Sequence, residues 1–78
     1  LKASRLHWIS GKPPTNKRLK AKIRYRSNDV PCKITEISDT TIAIKFDESC
    51  FGITPGQSVV FYNGETCLGG AIIDSFWN

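Results

Sequence analysis

At 78 residues, 40% of them hydrophobic and 23% charged, the chain is one small domain near the lower limit for a self-sufficient core. No apolar run approaches the ~20 residues a membrane-spanning helix needs, and the first residues carry no apolar signal-peptide segment. Three cysteines, Cys32, Cys50 and Cys67, make an odd set without a C-x-x-C pair, which argues against a disulfide framework or zinc-type spacing and suits a reducing compartment.

The net charge of +4 hides an asymmetry. Lys2, Arg5, Lys12, Lys17, Arg18, Lys20, Lys22, Arg24 and Arg26 precede residue 27, and no acid does. Beyond it, Lys33 and Lys45 stand against Asp29, Glu36, Asp39, Asp47, Glu48, Glu65 and Asp74. A basic block of this kind is the footprint of a polyanion partner. It reads equally as a solvated arm that aids solubility. A membrane-surface helix is excluded, because Pro13-Pro14 breaks it.

In chain order, Arg5 to Ile9 reads as a short strand or an extended entry segment around Trp8, and the breakers Gly11, Pro13, Pro14 and Asn16 make residues 10–17 a loop. Residues 1–17 are therefore taken as an entry segment and loop, and 18–78 as the folded body. From Leu19 to Arg26, cations alternate with Leu19, Ala21, Ile23 and Tyr25. On a strand this places Lys20, Lys22, Arg24 and Arg26 on one face and the others toward the core. Four like charges on one face call for a counter-charge or an anionic ligand nearby; if strand neighbours supply the counter-charge, Glu36 and Asp47 are the candidates.

Val30 to Ile37 is the next strand, with Pro31 near its start suited to an edge or a strand entry. In residues 41–46, Ile42, Ile44 and Phe46 point one way and Thr41, Ala43 and Lys45 the other. Phe51 is placed to plug a barrel end. Thr54-Pro55-Gly56-Gln57 is a turn, with Pro55 pre-set for the first corner and Gly56 free to take positive φ at the second. Ser58 to Tyr62 is an aromatic and β-branched strand. Asn63-Gly64 is read as a hairpin whose two corners both take positive φ. The returning strand carries Gly69-Gly70, a mark of a bulge, a barrel corner or another backbone in close approach. Phe76 and Trp77 are placed to pack back on Trp8, and all three cysteines are read as small buried hydrophobes. About six short strands without a convincing helix predict an all-β fold. A small closed antiparallel β-barrel also removes exposed strand edges.

Catalytic chemistry is not visible. His7 is the single histidine, with no paired nucleophile at a sensible spacing. Cys67 falls on a predicted buried strand, whereas a reactive thiolate wants an electropositive, open site. Gly69-Gly70 lacks the helix start of a phosphate cradle.

Several stretches together resemble the C-terminal end of the tRNA-specific 2-thiouridylases. They are Leu6-His7-Trp8-Ile9-Ser10-Gly11, Lys20 to Arg26 followed by Val30-Pro31-Cys32, Thr54-Pro55-Gly56-Gln57, Val60-Phe61-Tyr62 and Cys67-Leu68-Gly69-Gly70. The chain departs from the family at Ala71, usually a third glycine, and in the loop from Glu48 to Gly52. The resemblance implies a small antiparallel barrel similar to the second domain of translation elongation factors. It also implies tRNA contacts at Arg24, Tyr25 and Gln57, with Lys20, Lys22 and Arg26 as further phosphate ligands. By itself the alternation assigns Tyr25 to the apolar face, and a turn-capping role for Gln57 is an even alternative.

In that family an N-terminal domain with a Ser-Gly-Gly loop adenylates the wobble uridine with ATP, and two cysteines relay sulfur from a persulfide donor. Neither the loop nor those cysteines is present here. The resemblance therefore implies a piece of a longer enzyme, inactive alone, with no catalytic, cofactor or metal residues of its own. Its implied partners are tRNA, the catalytic domain of the same chain and a sulfur-relay protein, with no membrane. The setting is bacterial cytoplasm, or an organelle in a eukaryote. Two other functions fit the residues: a protein-interaction barrel that docks an acidic partner or sulfur donor, and a structural buttress.

Overall fold

The computed structural model describes residues 1–23, 29–48 and 53–76. The expectations placed on Arg24, Tyr25, Arg26, Cys50, Phe51 and Trp77 lie outside these residues. Six strands form: β1 (Lys2–Trp8), β2 (Arg18–Lys22), β3 (Val30–Ile37), β4 (Ile42–Phe46), β5 (Ser58–Asn63) and β6 (Thr66–Ser75). They close into a barrel in the order β1-β4-β3-β2-β5-β6, every neighbouring pair antiparallel. The fold is all-β, as the strand pattern predicts.

β2, β3 and β4 form a meander, and β1 returns to lie beside β4, a Greek-key arrangement. β1 is a full stave of the wall, hydrogen-bonded to both β4 and β6, so residues 2–8 are more than an entry segment. In the closed order β1 and β2 stand on opposite sides, so residues 9–17 cross one end of the barrel.

Period-two alternation fills the interior. Leu19, Ala21, Cys32, Ile34, Ile42, Ile44, Val59, Phe61, Ala71 and Ile73 are buried together. Phe61 is fully buried, and its ring lies 5.7 Å from that of Trp8. Phe76 and Trp8 both pack against this cluster.

Bulges interrupt three ladders, β1–β6, β3–β4 and β5–β6. Each bends its strand and strengthens the local twist, which a six-stave wall requires. Within the β1 bulge Arg5 has a φ of 53°, a left-handed conformation uncommon for a residue with a side chain. Gly69 lies against β1 so closely that a Cβ there would stand 2.0 Å from the His7 carbonyl oxygen. The close approach expected from Gly69-Gly70 is therefore present, with β1 as the approaching backbone.

Two local expectations are corrected. The β5–β6 hairpin turns through Gly64 and Glu65, with Asn63 paired to Thr66 as the last rung. Gly64 has a φ of 61° and neither Asn63 nor Glu65 a positive φ, which is the pattern of a turn with glycine at its first corner. Cys67 is exposed rather than buried. The bulge responsible makes Phe61 pair with Gly69 while Tyr62 pairs with Cys67, so Leu68 is the extra residue. Leu68 packs on the core, and the alternation that would have turned Cys67 inward is shifted by one. Cys32 is buried, as expected.

Candidate nucleic-acid interface

β2 sends Leu19 and Ala21 into the core and Arg18 and Lys20 into solvent, with Lys22 half-buried on the same outer side. The β2–β5 register sets Lys20 opposite Tyr62 and Lys22 opposite Val60. Tyr62 is thus flanked by two lysines, and the Lys22 Nζ lies 5.9 Å from its ring centroid, within cation–π range. The phenol ring supplies a π face beside two mobile cations, the combination that binds nucleic-acid backbone and an adjoining base.

A counter-charge meets the first residue of β2. The Arg18 guanidinium donates to an Asp47 carboxylate oxygen across the mouth between β2 and the end of β4. That hydrogen bond, and then the charge of Asp47, push the Arg18 guanidinium above its ordinary pKa. Asp47 thus neutralises Arg18, the residue that precedes the four expected cations, and among the described residues it forms no ion pair with Lys20 or Lys22. Glu36 does not fill that role. It lies opposite Ala43 on β4, three residues beyond Lys33, the last β3 residue that pairs with β2.

Gln57 stands at the end of the barrel where β2 finishes, just before Ser58 begins β5. Gly56 has a φ of 92°, and the Gln57 backbone N–H donates to the Thr54 carbonyl at 3.3 Å, closing the Thr54–Gln57 turn. The Gln57 side-chain oxygen accepts from the Thr54 N–H at 2.9 Å. The turn-capping role is thus present. That bond engages only the carbonyl end of the amide, so the NH₂ end keeps its donor capacity.

Sequence reasoning missed Arg18, which extends the outward row of β2 by one position. It also missed Tyr62, which was assigned only to a strand. Strand alternation was the available signal for Arg18; for Tyr62 the pairing with β2 was needed. Among the described residues, no three or more His, Cys, Asp or Glu side chains come together as a metal site, and no helix is long and apolar enough to cross a membrane.

A closed six-stave barrel with a cationic outer wall defines the class. The chain belongs to the Aminomethyltransferase beta-barrel domain family, whose model matches residues 1–73. Its sequence is similar to the C-terminal region of tRNA-specific 2-thiouridylases. It is 51% identical over 76 residues to tRNA-specific 2-thiouridylase MnmA of Shewanella pealeana, covering 96% of this chain and 20% of that protein. It is 50% identical over 74 residues to the proteins of the same name from Pasteurella multocida and Mannheimia succiniciproducens, covering 94% of this chain and 19% of each. The chain thus spans about one fifth of the length of the curated relatives it matches.

Proposed function

We propose that this chain is the tRNA-positioning barrel of a tRNA-specific 2-thiouridylase, whose full-length enzyme replaces the 2-oxygen of the wobble uridine with sulfur in an ATP-dependent reaction. The observation that carries the reading is the outer face of β2, where Lys20 and Lys22 flank the Tyr62 ring above a wholly apolar inner face. Phosphate neutralisation provides most of the affinity, and the barrel orients the backbone without reading base sequence. Arg24, Tyr25 and Arg26 continue the same stretch of chain. Arg24 offers a planar fork suited to phosphate, and Gln57 offers its amide N–H. Adenylation by ATP and transfer from a persulfide donor belong to the rest of that enzyme, in bacterial cytoplasm or in an organelle.

The test is Arg24→Ala in the full-length protein, read as tRNA affinity across a salt series. Three to five phosphate contacts give a log–log slope of roughly −2 to −5, and the variant should weaken binding at low salt and shallow that slope by about 1. Unchanged affinity at low salt overturns the assignment. Retention of a protein partner without tRNA would instead identify a protein-docking barrel, and loss of stability with intact tRNA binding a buttress.

A further inference from the structure

The register of β2, β3 and β4 brings together three cations that lie far apart in the sequence. Arg18 stands directly opposite Lys33, and Lys33 directly opposite Lys45. All three are exposed, while their chain neighbours Leu19, Cys32 and Ile44 are buried, so they share the outer face. With strands about 4.8 Å apart, the row spans about 10 Å across the wall. It runs at right angles to the Lys20–Lys22 stripe and meets it at Arg18.

Like charges directly opposite each other destabilise a ladder. Among the described residues, neither Lys33 nor Lys45 has a carboxylate within ion-pair distance, and Asp47 is paired with Arg18. A fold that holds two lysines face to face, with Asp47 engaged by a third cation, gains from an anion that bridges them. The ε-ammonium groups are compact point charges on flexible stems, able to follow the successive phosphate oxygens of a backbone.

We propose that Arg18, Lys33 and Lys45 form a second phosphate-binding row for RNA, running across β2, β3 and β4, and that Asp47 is an internal competitor which the RNA backbone displaces from Arg18. This inference rests on the RNA-binding reading above. It assigns a site to two residues from the otherwise acidic part of the chain, and it extends the contact surface around the barrel from two staves, β5 and β2, to four.

The experiment compares Lys33→Thr/Lys45→Thr, Lys20→Thr/Lys22→Thr and Asp47→Asn in the full-length protein carrying the barrel, using an unmodified tRNA transcript and a salt series. Threonine keeps strand propensity. Removing facing like charges should leave the thermal midpoint of Lys33→Thr/Lys45→Thr equal to or above the parent's, which excludes misfolding. That variant is expected to bind about tenfold more weakly, uniformly across tRNA sequences, with a salt slope shallower by about 2. Asp47→Asn is expected to bind about two- to fivefold more tightly at low salt, the range of an exposed ion pair.

If Lys20→Thr/Lys22→Thr weakens binding and Lys33→Thr/Lys45→Thr does not, the second row is overturned and the RNA-binding face on β2 stands. If neither double variant changes affinity, both readings fall. Unchanged or weaker binding by Asp47→Asn overturns the competitor role. Polyglutamate competing as well as tRNA at equal charge identifies the row as a docking site for an acidic protein and overturns its assignment to RNA.

Discussion

A Cβ built on Gly69 would stand 2.0 Å from the carbonyl oxygen of His7 and 3.0 Å from the Trp8 Cα, backbone atoms that cannot step aside without opening β1–β6. Gly70 is less extreme, with the Val59 carbonyl oxygen 2.9 Å from its would-be Cβ. Gly69→Ala should therefore behave as an overpacking substitution, costing about 2–3 kcal/mol. In a domain of this size that lowers Tm by roughly 10–20 °C. Thermal denaturation followed by circular dichroism checks it, and a Tm within a few degrees of the parent would show that β1 can yield. Arg5 presents the reverse situation, a side chain held at a φ of 53° where a left-handed residue carries about 1–2 kcal/mol of strain. Its cation is thereby carried on a bulge and not on a regular strand.

At the scale of elements, the Thr54–Gln57 turn combines two tasks in one side chain. The Gln57 oxygen caps the Thr54 N–H, and its amide nitrogen is the proposed RNA donor. Gln57→Ala removes both and should cost about 1 kcal/mol of stability along with some tRNA affinity. Gln57→Glu separates them, because a carboxylate oxygen still accepts from the Thr54 N–H but repels phosphate. The expected result is parent-like stability with weakened tRNA binding, measured by denaturation and a binding titration on the same preparation. Parent-like binding by Gln57→Glu would leave Gln57 as a turn residue alone.

The elements were legible in the sequence where alternation or turn chemistry is local. Leu19, Lys20, Ala21 and Lys22 showed their faces directly, and Pro55-Gly56 announced its corner. The hairpin shifted by one residue because glycine at the first corner suffices without a left-handed Asn63. Cys67 and the Arg18–Lys33–Lys45 row were not legible, for a common reason. A bulge or a strand register is a relation between two segments, and neither segment carries it alone.

For the whole molecule, stability rests on one cluster. A chain of this size has roughly 4–12 kcal/mol of net stability. Phe61 is fully buried, touches the Trp8 ring and sits on β5 between β2 and β6. Phe61→Ala should cost about 3–5 kcal/mol, a large part of that margin, and should collapse protection of amides around the entire wall in hydrogen exchange. Ile37, 42% exposed near the β3–β4 turn, provides the control. Ile37→Thr should stay within about 0.5 kcal/mol of the parent. The inner and outer faces are thus separable, which is why a cationic exterior can be tested without disturbing the fold.

Lys2 lies opposite Ser75, so β1 and β6 bring the two extremities of the barrel side by side. Any segment entering before Lys2 and any segment leaving after Ser75 do so from the same pole. That pole is anchored: Leu1 is buried and its amino group donates to the Ile44 carbonyl at 2.9 Å, so a chain arriving there is stapled to β4 before the first rung of β1.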